Sequence, residues 1–163
     1  MGMILEFYRL SDEKIIELFN QPEKVCSEYL EKNYASVYGK EHRENDTVFS
    51  LDKTWAVIRF LIISADTTEN KILSELYGES QTDNVFDNYN FLLSKKVEVM
   101  NDLLQEMQTN DLFKFYDEIK MKNEMVYNES SYHLDYLEKQ IEIVKLAFEK
   151  AANSNSGLII NIG

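Results

Sequence analysis

The chain has 163 residues, 44% of them apolar and 12% aromatic, which is enough for a single domain with a closed core and excludes a disordered segment. Seventeen Lys and Arg against 29 Asp and Glu leave a net charge of −12, which disfavours nucleic acid and anionic membrane surfaces and suits basic partners, cations or, most simply, solubility alone. One proline and five glycines are too few for a loop-heavy all-β fold, and the one cysteine, Cys26, excludes an intrachain disulfide and fits a reducing cytoplasm.

Residues 3–10 are large, apolar and aromatic, and short enough for a strand with Leu5 and Phe7 on one face and Glu6 and Tyr8 on the other. The opening has no basic-then-apolar leader pattern, and Glu6 stands where a myristoylation signal wants Ser or Thr. No apolar run approaches the roughly 18 residues of a membrane helix. Ser11 is placed to cap a helix whose stripe is Ile15, Ile16, Leu18 and Phe19, with Asp12 and Glu13 favourably set against its dipole. Pro22 suits the start of a second helix, with Val25, Cys26, Tyr29 and Leu30 on one face.

Residues 39–50 (GKEHRENDTVFS) are polar and charged and predict an exposed loop, with Ser50 capping the next helix. In that helix Leu51, Trp55, Ile58 and Ile62 form a stripe that Phe60 and Ile63 widen, so it is expected to be buried on more than one side, carrying the only tryptophan into the core. Asp66 to Glu69 has capping-box spacing ahead of a short helix over Ile72, Leu73, Leu76 and Tyr77 that stops near Gly78. Residues 79–90 predict a long surface loop, Phe91 to Leu93 a short strand or buried turn, and Ser94 another cap.

The helix after Ser94 buries Val97, Met100, Leu103, Leu104 and Met107, and a further helix is expected over residues 112–121. Residues 132–152 are the clearest helix, with Leu134, Leu137, Ile141, Val144 and Phe148 at alternating three- and four-residue steps. After a turn at 153–157, residues 158–162 are almost wholly apolar, as in a strand buried on both faces.

These landmarks in this order resemble the YfbM-like family, a bacterial domain of unknown function. The match is carried by Met1-Gly2-Met3 running into Phe7-Tyr8-Arg9-Leu10-Ser11, by Leu51-Asp52-Lys53-Thr54-Trp55, by residues 91–97, and by Leu134-Asp135-Tyr136-Leu137 opening the last helix. The chain departs from the family pattern in three places. Only Gly78 remains of a Gly-rich central stretch, no Arg precedes Ser94, and an Ile-Tyr-Pro step reads Val126-Tyr127-Asn128. The resemblance spans nearly the whole chain and implies a cytoplasmic α+β domain. It transfers no reaction.

Catalytic signatures are sparse. His42 and His133 have no ligand-spaced partner, Cys26 is isolated, and neither a nucleophile elbow nor a Gly-rich phosphate loop is present. The sequence therefore names no catalytic residue and predicts no metal and no cofactor. Glu98, Asp102 and Glu106 follow one another at four-residue steps, pointing away from the apolar stripe, which reads as a solvated face more readily than as an acidic site. The one polar cluster worth carrying forward is Arg9, Asp52, Lys53 and Tyr127. Its structural reading is a cap or ion pair, Arg9 to Asp52, locking strand to helix. Its functional reading is the polar mouth of a pocket.

The expected architecture is thus one α+β domain over residues 1–163, a small mixed sheet including the N- and C-terminal strands, packed by about five to six helices. The leading functional expectation is a non-catalytic acidic interaction module that neutralises a basic protein partner, as immunity proteins do. Competing with it is an enzyme or small-ligand binder with a pocket around Arg9, Asp52 and Tyr127. A homo-oligomer built on a dimerisation surface is a third expectation. Functional variation is expected in the loops 39–50 and 79–90.

Overall fold

Alternation along the first strand divides the interior in two. The computed structural model describes residues 2–34, 47–78 and 87–163. In β1 (Leu5–Leu10), Leu5 and Phe7 enter one core, whereas Tyr8 and Leu10 enter the other. The terminal strand β4 (Gly157–Ile162) does the same, with Leu158 and Ile160 on one side and Ile159 on the other. Both strands are buried on both faces because helices cover both faces.

The sheet order is β2-β1-β4-β3, so the first and last strands are its centre. Leu5 pairs with Leu51 of β2 (Val48–Leu51) and with Ile162 of β4, and Leu92 of β3 (Tyr89–Leu92) pairs with Leu158. All three pairings are antiparallel, a narrower arrangement than the mixed sheet expected. The result is a single-domain α+β fold with seven α-helices among the described residues.

One face of the sheet carries α1 (Asp12–Phe19) and α2 (Glu23–Tyr34), whose Ile15, Leu18, Cys26 and Leu30 pack on Tyr8 and Ile159. Ser11 caps α1 as expected, its Oγ accepting from Lys14 N–H at 3.3 Å. The other face carries the larger core: α3 (Trp55–Ala65), α4 (Ser94–Glu106) and α7 (Leu134–Asn153), with two short helices, α5 (Thr109–Phe113) and α6 (Glu118–Asn123). Among the described residues no helix is long and apolar enough to cross a membrane.

Several boundaries differ from the expectation. Residues 48–51 are an edge strand, not loop and helix, so Ser50 is no cap and Leu51 lies in the sheet. The helical stripe that seemed to start at Leu51 arose because a four-residue strand abuts a helix with a compatible spacing. The rest of the expected loop, up to residue 46, lies outside the described residues, as do 79–86 of the second loop. Ser94 is the first residue of α4, and its N–H and hydroxyl donate to the Asp12 carboxylate at 2.8 and 2.6 Å. The cap of α4 thus comes from α1, which no local pattern encodes. The helix expected over 112–121 is two, since Asp117 leaves the helical backbone and caps α6, accepting from Lys120 N–H at 3.0 Å.

Cys26 lies wholly within the core of the first face, and burial, with the Glu23 charge beside it, pushes its thiol up to about 12. Its reaction with a disulfide reagent at pH 8 is expected to be at least about a hundredfold slower in the native protein than in urea. Comparable rates in the two states would contradict that burial.

Candidate functional site

A cleft of about 370 Å³ opens between the outward face of α3 and the turn that follows α6. One wall is Trp55, Arg59 and Ile63, a row at four-residue helical steps, and the other is Glu124, Met125 and Tyr127. The volume falls in the range of ordinary ligand and anchor pockets.

The floor is aromatic. The Trp55 and Tyr127 rings stack with centroids 5.5 Å apart and planes 20° from parallel, and Tyr77 meets Trp55 edge-on at 6.2 Å. Both polar ends are already engaged by one residue. Met3 N–H donates to Tyr127 Oη at 3.0 Å, and Trp55 Nε1–H donates to the Met3 carbonyl at 3.2 Å. The two rings therefore clamp the segment entering β1 and turn mainly carbon toward the cleft. Trp55, expected in the core, is only partly buried; it sits at a surface site.

Two cations, Arg59 in the wall and Lys120 beside it, have partners within the chain. Arg59 Nη2 donates to the Ser74 carbonyl at 3.0 Å, in the 3-10 turn Ile72–Glu75. Lys120 Nζ lies 5.6 Å from the centre of the Phe60 ring and 3.9 Å from Glu124 Oε1. That turn is in its place because of Asp66, which is 2% exposed. Asp66 Oδ1 accepts from Thr68 N–H at 2.9 Å and from Thr68 Oγ1 at 2.6 Å, and Oδ2 accepts from Leu73 N–H at 2.9 Å. Burial by itself pushes the Asp66 carboxyl up, but the Thr68 and Leu73 hydrogen bonds and the Lys71 charge outweigh it and hold the group below its usual value. The capping-box spacing seen at residues 66–69 is this clamp, with Asp66 closing the loop after α3 instead of starting a helix there.

The structure brings together only part of the expected polar cluster. Asp52 Oδ1 accepts from Thr54 N–H at 2.9 Å, and the Asp52 carbonyl accepts from Trp55 N–H at 3.3 Å, so Asp52 shapes the turn into α3. Lys53 folds over the segment ahead of β1, where a Cβ on Gly2 would lie 2.5 Å from its Cε. Asp52, Lys53 and Tyr127 are therefore near neighbours of residues 2–4. Arg9 is not. It pairs with Leu158 at the far end of β1, about 13 Å along the strand from Leu5, and its Nη1 donates to Ser154 Oγ at 3.1 Å. The Arg9–Asp52 ion pair is not formed, because strand register puts the two residues at opposite ends.

A family model for a domain of unknown function, DUF1877, matches residues 1–161. The chain belongs to the DUF1877 family. The fold of this DUF1877 domain is similar to the crystal structure of YfbM from Escherichia coli, a protein of unknown function. The TM-score is 0.65 at 15% identity, covering 98% of this chain and 99% of that one. No curated protein matches. The YfbM-like family expected from the sequence is thus shown, and at that identity the likeness establishes the fold alone.

Sequence reasoning passed over four cleft residues: Trp55, assigned to the core, and Arg59, Glu124 and Met125. Trp55 belongs to the Leu51–Trp55 motif and to the apolar stripe, which pointed to the core, and the other three belong to no recognisable pattern. The signal that could have found them is the tyrosine and carboxylate surplus around residues 116–127, which alone places nothing opposite α3. The acidic row Glu98, Asp102 and Glu106 is exposed, as a solvated face should be.

Proposed function

We propose that this DUF1877 protein is a non-catalytic acidic interaction module of the cytoplasm, which binds a basic protein partner and neutralises it in the manner of an immunity protein. The observation that carries the reading is the cleft. Trp55 Nε1–H is spent on the Met3 carbonyl, Tyr127 Oη accepts from Met3 N–H, and Arg59 Nη2 in the wall is held by the Ser74 carbonyl. Such a surface offers aromatic faces for carbon contact beside the polar groups of Arg59 and Glu124, a mixture that suits a protein interface. The net charge of −12 supplies steering toward a basic partner and orientation at the rim.

Ala56 lines the cleft on α3 and is small enough that an arginine there would fill it. Ala56→Arg is expected to abolish capture of the basic partner at physiological salt while leaving the thermal midpoint within a few degrees of the parent. Partners retained undiminished by that variant would exclude the cleft from binding. Partners that were acidic, or that stayed bound in 0.5 M salt, would contradict the electrostatic part.

One observation favours a second reading, a small-ligand binder or enzyme: the cleft is of ligand size and is lined by both Ser64 and Arg59. Of Arg9, Asp52 and Tyr127, the residues expected to converge there, only Tyr127 lines it. A saturable thermal stabilisation by flat aromatic acids, lost in Ala56→Arg, would favour this reading over the first.

A further inference from the structure

The two most exposed large apolar side chains among the described residues stand in one short segment. Ile119 of α6 is 76% exposed and Met125, in the turn that follows, is 88% exposed, with Phe115 ahead of them at 40%. Folding accounts for neither of the first two. Met121 is the side chain that α6 buries, and at 100° per residue Ile119 points the other way. Met125 has left-handed backbone, at φ +55, which favours glycine, because Val126 N–H closes back on the Met121 carbonyl at 2.9 Å.

The charges around these side chains balance. Residues 114–125 hold Lys114, Lys120 and Lys122 against Asp117, Glu118 and Glu124, whereas the rest of the chain holds 14 basic residues against 26 acidic ones. A neutral segment gives no preference to a basic or to an acidic partner. Its charges are nonetheless ordered. Asp117 and Glu118 stand ahead of Ile119 and Lys120 and Lys122 behind it, all of them exposed. That order suits the dipole of α6, which accounts for the charges and not for the isoleucine between them.

We infer that this segment is where two copies of the chain meet, as an isologous dimer with α6 packed antiparallel on α6 across a two-fold axis beside Ile119. Antiparallel packing reverses the order of the charges, so the acidic end of each helix meets the basic end of the other. Glu118 and Lys122 are four residues apart and share one flank of Ile119, so each copy's Glu118 lies toward the other's Lys122. The apolar contact is Ile119 on Ile119, with the adaptable Met125 side chains at the two ends. The pairs already made by this segment, Lys114 with Asp111 and Lys120 with Glu124, are solvent-exposed and exchange at little cost. Two chains of −12 repel elsewhere, and three apolar side chains a copy fall short of the core of a permanent dimer. The association is therefore weak, with a Kd on the order of 10–100 µM. It is independent of the partner reading above.

The test is sedimentation equilibrium of the full chain at physiological salt, with loading concentrations of about 10–500 µM spanning that Kd. The average mass of the parent is expected to rise from monomer toward dimer, and that of Ile119→Asp to stay at monomer with an unchanged thermal midpoint. Glu118→Lys and Lys122→Glu should each weaken association about tenfold, since like charges then face each other. Combining the two should restore it, and the combination keeps the net charge at −12, so recovery reports the pairing alone. A parent that stays monomeric throughout overturns the inference. An Ile119→Asp protein that dimerises like the parent places the contact elsewhere and overturns it as well. Failure of the double variant to recover overturns the antiparallel arrangement, and the inference with it.

Discussion

Asp66→Ala is expected to destabilise the protein by about 3–4 kcal/mol, lowering the thermal midpoint on the order of 10 °C. The carboxylate is buried and receives three hydrogen bonds, from the backbone and hydroxyl of Thr68 and from Leu73 N–H. Alanine leaves Leu73 N–H facing the core, where Leu73 is fully buried, and an unmet buried donor alone costs about 1–3 kcal/mol. Asp66→Asn keeps the shape but removes the charge-assisted character, and should cost about half as much.

The same residue fixes a pH dependence. The folded carboxyl is held below the value near 3.8 that it has when unfolded. Its contribution is therefore fully present above that unfolded value and is lost as pH falls through the lower, folded one. Urea midpoints followed from pH 7 downward should fall more steeply below about pH 4 in the parent than in Asp66→Asn. Parallel curves would remove Asp66 from the acid transition. Because the clamp positions Ser74, which holds Arg59, Asp66→Ala is also expected to loosen the cleft wall.

Gly78→Ala is the second large effect, about 2–4 kcal/mol of destabilisation by equilibrium denaturation. Gly78 has φ +77, and a Cβ there would lie 2.8 Å from Asn90 Cβ and 2.9 Å from both Phe91 N and Phe91 O. Two of these three contacts are backbone atoms of β3, so rotating a side chain relieves nothing. β3 would have to move, and Phe91, whose ring meets Phe19 at 4.5 Å, would move with it. A variant of unchanged stability would show that residues 77–78 are free to shift. Gly78 is thus a position where the close approach of β3 demands glycine.

The elements that were legible in the sequence are those whose period repeats long enough to exclude alternatives. The 20 residues of α7 and the run entering both cores at β4 left little ambiguity. β2 was hidden because four residues are too few to show a period of two beside a helix that mimics a longer stripe. The polar cluster was legible in part, since Asp52, Lys53 and Tyr127 do gather about residues 2–4. Arg9 was misplaced because strand register, which sets distance along β1, depends on a partner strand.

The sequence by itself determined the class of molecule: a single acidic α+β domain with its terminal strands at the centre of the sheet, written in local periodicity and composition. Only the tertiary structure decided where the cleft lies. Trp55 and Tyr127 are 72 positions apart, and their stacking on Met3 depends on how α3 and the turn after α6 settle on one core. The left-handed backbone of Met125 depends on hydrogen bonds closed across the end of α6. Local propensity reports on a residue and its near neighbours, whereas a cleft is made by surfaces left over when distant segments have buried the rest.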